Sequence, residues 1–254
     1  MKLFGSMAIG ISMYSKIPMP RVEWNKENMK YAICFFPLVG AVIGVVQTLL
    51  GTFLLTHTGC GRLFFAGIMT IVPILISGGI HMDGLLDTFD ALNSYADREK
   101  KLEILKDSRA GAFAVLGLGV YLVASLAVWS EIRAEMLPVI GAGYVCSRAL
   151  SGLSILFFKP ARKDGLGRTF QDQAHKRNAG IVLALWLAGA LAAMLIASPL
   201  MGLAAAAAAF GTFFYYKRMA MKQFGGMTGD LAGYFLQLCE LFVAAAVLAA
   251  GGLV

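Results

Sequence analysis

Apolar residues in this chain run in long blocks rather than in alternation, and short polar stretches separate the blocks. Seven of them approach the roughly 20 residues that cross a hydrocarbon core about 30 Å thick. They are Tyr31–Thr56, Leu63–Ile80, Gly111–Ser130, Glu135–Phe158, Asn178–Ser198, Leu200–Tyr216 and Leu231–Leu253. Lipid offers no partner for backbone N–H and C=O groups, so such blocks fold as helices that satisfy their own. The pattern predicts an all-α, polytopic integral membrane bundle of about seven transmembrane helices. Lys2–Tyr14 is expected as a short interfacial helix that lies in the interface or dips into it, and residues 1–254 as a single domain. The blocks carry little chemistry: Leu203–Phe210 is nearly all alanine, and Gly40, Gly44, Gly117 and Gly119 are small enough to let helices approach.

Composition agrees with this reading. Of 254 residues, 58% are hydrophobic and 15% charged, against about a quarter charged in soluble domains. A net charge of +7 raises the question of nucleic-acid binding, and its distribution argues against it. All of the 22 Lys and Arg except Arg62, Arg133 and Arg148 fall in alternate segments between the blocks. Positive-inside orientation puts those segments in the cytoplasm, with the N-terminus inside, the C-terminus outside and multiple passes through the cytoplasmic (inner) membrane. The expected surroundings are the lipid bilayer and no nucleic acid, with a homo-oligomer left open. Cys34, Cys60, Cys146 and Cys239 show no ligand spacing and read as small packing residues. Met1–Tyr14 leads into Lys16 and Pro18 without a small-residue cleavage site, so no cleavable signal is expected.

The polar motifs all fall on the predicted cytoplasmic side. Asp83, Asp87 and Asp90 follow the second block at i, i+4 and i+7, which puts them on one helical face. Helix-start carboxylates favour the positive end of the helix dipole, but that covers one or two acids rather than three beside an apolar span. Aspartate oxygens are hard ligands, so the three are expected to bind Mg²⁺ and leave positions for water and phosphate. His81 lies about 200° from Asp83 on a helix; it is read as a polar neighbour, with proton transfer open. Lys106, Asp107 and Arg109 form a second motif, in which Arg109 could fork a phosphate and Asp107 join the metal or orient a nucleophile. Gly165, Gly167 and Arg168 form a turn suited to cradling phosphate. Asp230 follows three glycines before the last block. Arg148 and Glu240 lie inside blocks, where ionisable groups are functional by default, Arg148 as a substrate contact, or where they pair with each other.

Gly79–Asp90 together with Leu102–Arg109 resembles the cobalamin synthase family, adenosylcobinamide-GDP ribazoletransferase. Gly165–Arg168 and Gly225–Asp230 resemble family blocks in the same order, so the likeness covers most of the chain. The resemblance implies a Mg²⁺-dependent membrane enzyme of cobalamin biosynthesis. It would join adenosylcobinamide-GDP to α-ribazole or α-ribazole 5′-phosphate and release GMP. A looser likeness is to the CDP-alcohol phosphotransferases, whose motif ends in G-x3-D-x3-D as at Gly79, Asp83 and Asp87. The upstream half of that motif is missing, since Ile68–Ser77 has no acid, and Ala91 breaks a further D-x2-D-G reading. A transporter using Arg148 and Glu240 is a third reading, opposed by the clustering of motifs at one face and by the absence of internal repeats. On the first reading Asp83 and Asp87 carry catalysis with the metal, and Asp107 or His81 is available to orient or deprotonate the acceptor.

Overall fold

The apolar blocks fold as helices in the computed structural model, which describes residues 2–162 and 171–252. In chain order these are α1 (Lys2–Tyr14), α2 (Lys26–Met29), α3 (Phe36–His57), α4 (Arg62–Ser77), α5 (Ile80–Asn93) and α6 (Arg98–Ile104). They continue as α7 (Ala112–Glu131), α8 (Leu137–Phe157), α9 (Lys176–Ala197), α10 (Pro199–Met219) and α11 (Gly229–Gly251). Short turns extend several of them: a 3-10 turn at Ala32–Phe35 precedes α3, and a π turn at Ala220–Phe224 follows α10. Among the described residues six helices, α3, α7, α8, α9, α10 and α11, are long and apolar enough to cross a membrane. With α4 and α5 taken together as a bent pair there are seven.

Burial separates centre from periphery. In α8, 83% of the apolar window is buried, against 22% in α9 and 28% in α7. The central pair α8 and α11 packs against α3, α5, α9 and α10. The outer helices turn large apolar side chains outward, among them Val120, Leu185 and Phe214. An apolar exterior is what a lipid solvent selects.

Two departures from the predicted spans matter for the site. The second block does not run straight to Ile80: α4 ends at Ser77 and the chain bends by 98° into α5. Gly78 and Gly79 both take positive φ, +66° and +79°. The Gly79 N–H reaches the Ile74 carbonyl at 3.0 Å and the Gly78 N–H reaches Leu75 at 3.2 Å, a Schellman closure that two consecutive glycines permit at little cost. Moreover, α1 is not simply laid on a surface. Ala8 and Ile9 are fully buried, and Tyr14 sits on Phe36 with ring centroids 4.1 Å apart.

The two ends of the bundle differ in chemistry. At one end Arg62 donates to the Ile132 carbonyl at 2.9 Å, and Arg133 donates to the Gly251 carbonyl. The opposite end gathers α5, α6, the segment after α8 and the segment before α11.

Candidate active site

The site is built where α5 crosses the start of α11. A Cβ on Gly84 would stand 2.5 Å from the Asp230 carbonyl oxygen, and one on Gly233 would stand 3.2 Å from His81 Cα. Two glycines facing each other let the backbones touch, and that contact sets Asp83 and Asp87 of α5 against Asp230 of α11. Asp230 lies in the first turn of α11, whose N-cap Thr228 accepts the Leu231 N–H at 3.2 Å.

A cation enters the same place from the segment after α8. Residues 159–161 pair with 226–227: the Met227 N–H donates to Lys159 at 2.8 Å, and the Ala161 N–H donates to Met227 at 2.9 Å. This parallel bridge carries Arg162 to Asp230, with Nη1 3.9 Å from the carboxylate. The Arg162 Nη2 is held by the Leu102 carbonyl at 2.6 Å, while its Nε is buried without a hydrogen-bond partner. From α6, Arg98 donates to the Phe224 carbonyl at 2.8 Å and Lys101 to the Gln223 side chain at 2.7 Å, which pins the turn leading to the bridge.

The balance of charge at this crossing is negative. Burial, and then the neighbouring carboxylates Asp83, Asp230 and Asp90, push the Asp87 carboxyl up to about 7, with Arg162 opposing them. The one guanidinium nearby is outweighed by burial and by the carboxylates. Among the described residues no three His, Cys, Asp or Glu side chains form a ready-made metal cluster. The donor chemistry still fits a hard divalent ion, since Mg²⁺ takes one or two carboxylates and completes its shell with water and substrate phosphate.

A cavity of about 210 Å³ opens at the crossing, lined by Asp83, Arg162, Thr228 and Asp230 together with His81, Ser151 and apolar side chains. His81 is buried and its Nε2 has no hydrogen-bond partner; the same holds for Ser151 Oγ.

Several expected site residues lie elsewhere. Asp90 is on the predicted face, but its carboxylate caps the start of α7, accepting the Gly111 N–H at 2.5 Å and the Ala114 N–H at 2.8 Å. Each of its oxygens accepts one N–H of that helix terminus, so Asp90 has a capping role that the sequence reading did not foresee, while Asp83 and Asp87 have Asp230 as a neighbouring carboxylate. Asp107 and Arg109 pair with each other at 2.8 Å in an exposed turn, alongside exposed Lys106. Their hydrogen bonds hold the Asp107 carboxyl down to about 2, and none of the three lines the cavity. Arg148 is fully buried and bound to Glu240 at 2.6 Å. The pairing alternative is therefore present, since a buried guanidinium needs a carboxylate to neutralise it. Gly165, Gly167 and Arg168 lie outside the described residues. Sequence reasoning missed Arg162 and Ser151: Arg162 was only one basic residue among many in its loop, and Ser151 only a small residue in an apolar block.

Comparison with known proteins places the chain in a family. The chain is similar to the family described as cobalamin-5-phosphate synthase, whose model matches residues 6–248. It is 47% identical over 255 residues to the adenosylcobinamide-GDP ribazoletransferase of Lachnoclostridium phytofermentans, covering 100% of this chain and 97% of that protein. Proteins of the same name from Escherichia coli K12 and Shigella dysenteriae serotype 1 are each 32% identical over 254 residues, covering 97% of this chain and 99% of the relative. No solved structure matches.

Proposed function

The chain belongs to the cobalamin-5-phosphate synthase family, and on that premise we propose that it transfers the cobinamide phosphoryl group of adenosylcobinamide-GDP to α-ribazole or α-ribazole 5′-phosphate. The acceptor hydroxyl attacks the phosphorus that bears the cobinamide. A P–O bond forms there, the P–O bond to the bridging oxygen breaks, and GMP leaves with that oxygen. The observation that carries the reading is the meeting of Asp83, Asp230 and Arg162 in the wall of one cavity, with the Asp87 carboxyl close enough to feel all three charges.

Asp83 and Asp87, with Asp230 opposite, are the residues that would hold Mg²⁺. When bound, the ion neutralises charge on the pyrophosphate and the departing GMP. Arg162 has donor capacity left at a buried Nε and offers a planar fork to a phosphate oxygen. Buried His81 lines the cavity with an unpartnered Nε2, which suits it to take the acceptor hydroxyl proton as general base. The chemistry belongs at the cytoplasmic face, as the distribution of Lys and Arg supports.

The test incubates purified protein with adenosylcobinamide-GDP and α-ribazole 5′-phosphate, with Mg²⁺ or with EDTA. Joined product and GMP are expected in equal amounts, and only with the metal. Asp83→Asn and Asp87→Asn should each lower GMP release by at least about 100-fold. Full GMP release from either variant at saturating Mg²⁺ would remove those carboxylates from the reaction.

A further inference from the structure

The phosphoryl transfer uses only the charged part of the cavity. The remaining walls are mostly apolar and include Met13 and Tyr14 of α1, Phe36 of α3, Ile155 of α8 and Leu236 of α11. Among them sit Ser151 and His81, 0% and 4% exposed, each with a polar atom that has no partner. Buried polar atoms almost always find partners, so two orphans in one cavity point to a ligand that supplies them.

We propose that this cavity takes the aromatic base of the acceptor nucleoside, with Ser151 Oγ donating a hydrogen bond to the unsubstituted ring nitrogen of that base. The assignment rests on the transferase reading above and deepens it. Size narrows the choice first. About 210 Å³ lies below the roughly 300–1,000 Å³ of sites for drug-sized ligands, so the cavity has room for one ring system and none for a corrin. Wall chemistry then separates the two bases in the reaction. Guanine carries N–H donors and a carbonyl along its edge, and burying these against Met13, Phe36, Ile155 and Leu236 would leave them unpaired. A benzimidazole is apolar except for one ring-nitrogen lone pair once the other nitrogen is bonded to ribose. One hydroxyl donor matches that single acceptor. Tyr14 and Phe36 supply ring faces and edges against which a flat heterocycle packs. With the base seated among the apolar walls, its sugar points out past the charged wall of Asp83 and Asp230, which brings the acceptor hydroxyl to the phosphoryl group.

The experiment compares α-ribazole 5′-phosphate with an analogue carrying indole in place of benzimidazole, on wild type, Ser151→Ala and Ile155→Phe. Ser151→Ala removes an oxygen that has no protein partner, so the variant is expected to fold as wild type does. It should raise the KM for the ribazole substrate roughly five- to tenfold, the loss of one neutral hydrogen bond. The KM for adenosylcobinamide-GDP should stay within about twofold, and the wild-type preference for benzimidazole over indole should vanish. Ile155→Phe narrows the cavity and should raise the same KM. A rise in the donor KM instead, or a benzimidazole preference that survives Ser151→Ala, would overturn the assignment. Equilibrium binding of α-ribazole 5′-phosphate without donor separates the two readings. If wild type forms no product but binds the nucleotide, and Ser151→Ala weakens that binding, the transferase reading fails and the base pocket stands. If wild type neither binds nor turns over, both fall.

Discussion

Burial and like charge leave the Asp87 carboxylate out of balance with its surroundings, and its titration follows from that. Burial and three nearby carboxylates raise it to about 7, against about 3.9 in an unfolded chain. Between those values the folded protein holds a proton that the unfolded chain has released. Stability of the metal-free protein therefore falls as pH rises from about 4 to 7 and is flat with respect to this group above that. Thermal melting in EDTA and detergent should show a higher midpoint at pH 5 than at pH 8, and Asp87→Asn should remove this part of the difference. An unchanged pH slope in Asp87→Asn would contradict the charge imbalance assigned to the site. Asp83, Asp87 and Asp230 were legible from the sequence because helical spacing and an adjacent glycine run are local signals. Arg162 and Ser151 were not. Arg162 reaches Asp230 only through the pairing of 159–161 with 226–227, and Ser151 faces the cavity only because α8 packs centrally. Asp90 shares the helical spacing, but its oxygens also accept the Gly111 and Ala114 N–H groups at the start of α7, a contact that spacing alone does not reveal.

At the scale of helices, the site depends on how closely α5 and α11 approach. A Cβ on Gly84 would stand 2.5 Å from a backbone oxygen, and backbone cannot swing away as a side-chain tip can. Gly84→Val should destabilise the protein by about 1–3 kcal/mol through overpacking. By displacing the carboxylates it should also cost about 100-fold in turnover. Gly119→Ala is the control, because nothing lies within 4 Å of its added methyl, and it should leave melting and turnover unchanged. Equal effects of the two substitutions would mean that the crossing is not what positions the acids. Arg148 and Glu240 tie α8 to α11 elsewhere, at 2.6 Å with both side chains buried. Glu240→Gln strands a buried guanidinium and should destabilise by about 3–5 kcal/mol, whereas Arg148→Met combined with Glu240→Leu should recover most of that loss. The existence of the spans was readable from their length and apolar content. The 98° bend was marked only by Gly78-Gly79, whose meaning depends on a backbone conformation that composition does not reveal.

Over the described residues, polarity is sorted by end, and this sorting yields a prediction of which end faces the cytoplasm. Arg62 and Arg133 close one end through the carbonyls of Ile132 and Gly251. The acids, Arg162 and the cations of α6 occupy the other, where the remaining inter-span Lys and Arg also lie by sequence. A positively charged loop is retained on the cytoplasmic side, so the site end should face inward and the α3–α4 loop outward. Gly59 lies in that loop with open space around it, and Tyr95 is 92% exposed beyond α5. Gly59→Cys and Tyr95→Cys, each made with Cys60→Ser, therefore report the two ends independently. Cys34, Cys146 and Cys239 are buried and should stay silent. On spheroplasts, a membrane-impermeant maleimide should label the Gly59→Cys protein at once and the Tyr95→Cys protein only after permeabilisation. The reverse pattern would turn the bundle over and place the acidic site outside. The donor nucleotide would then have to be supplied across the membrane, a requirement that the inward orientation avoids.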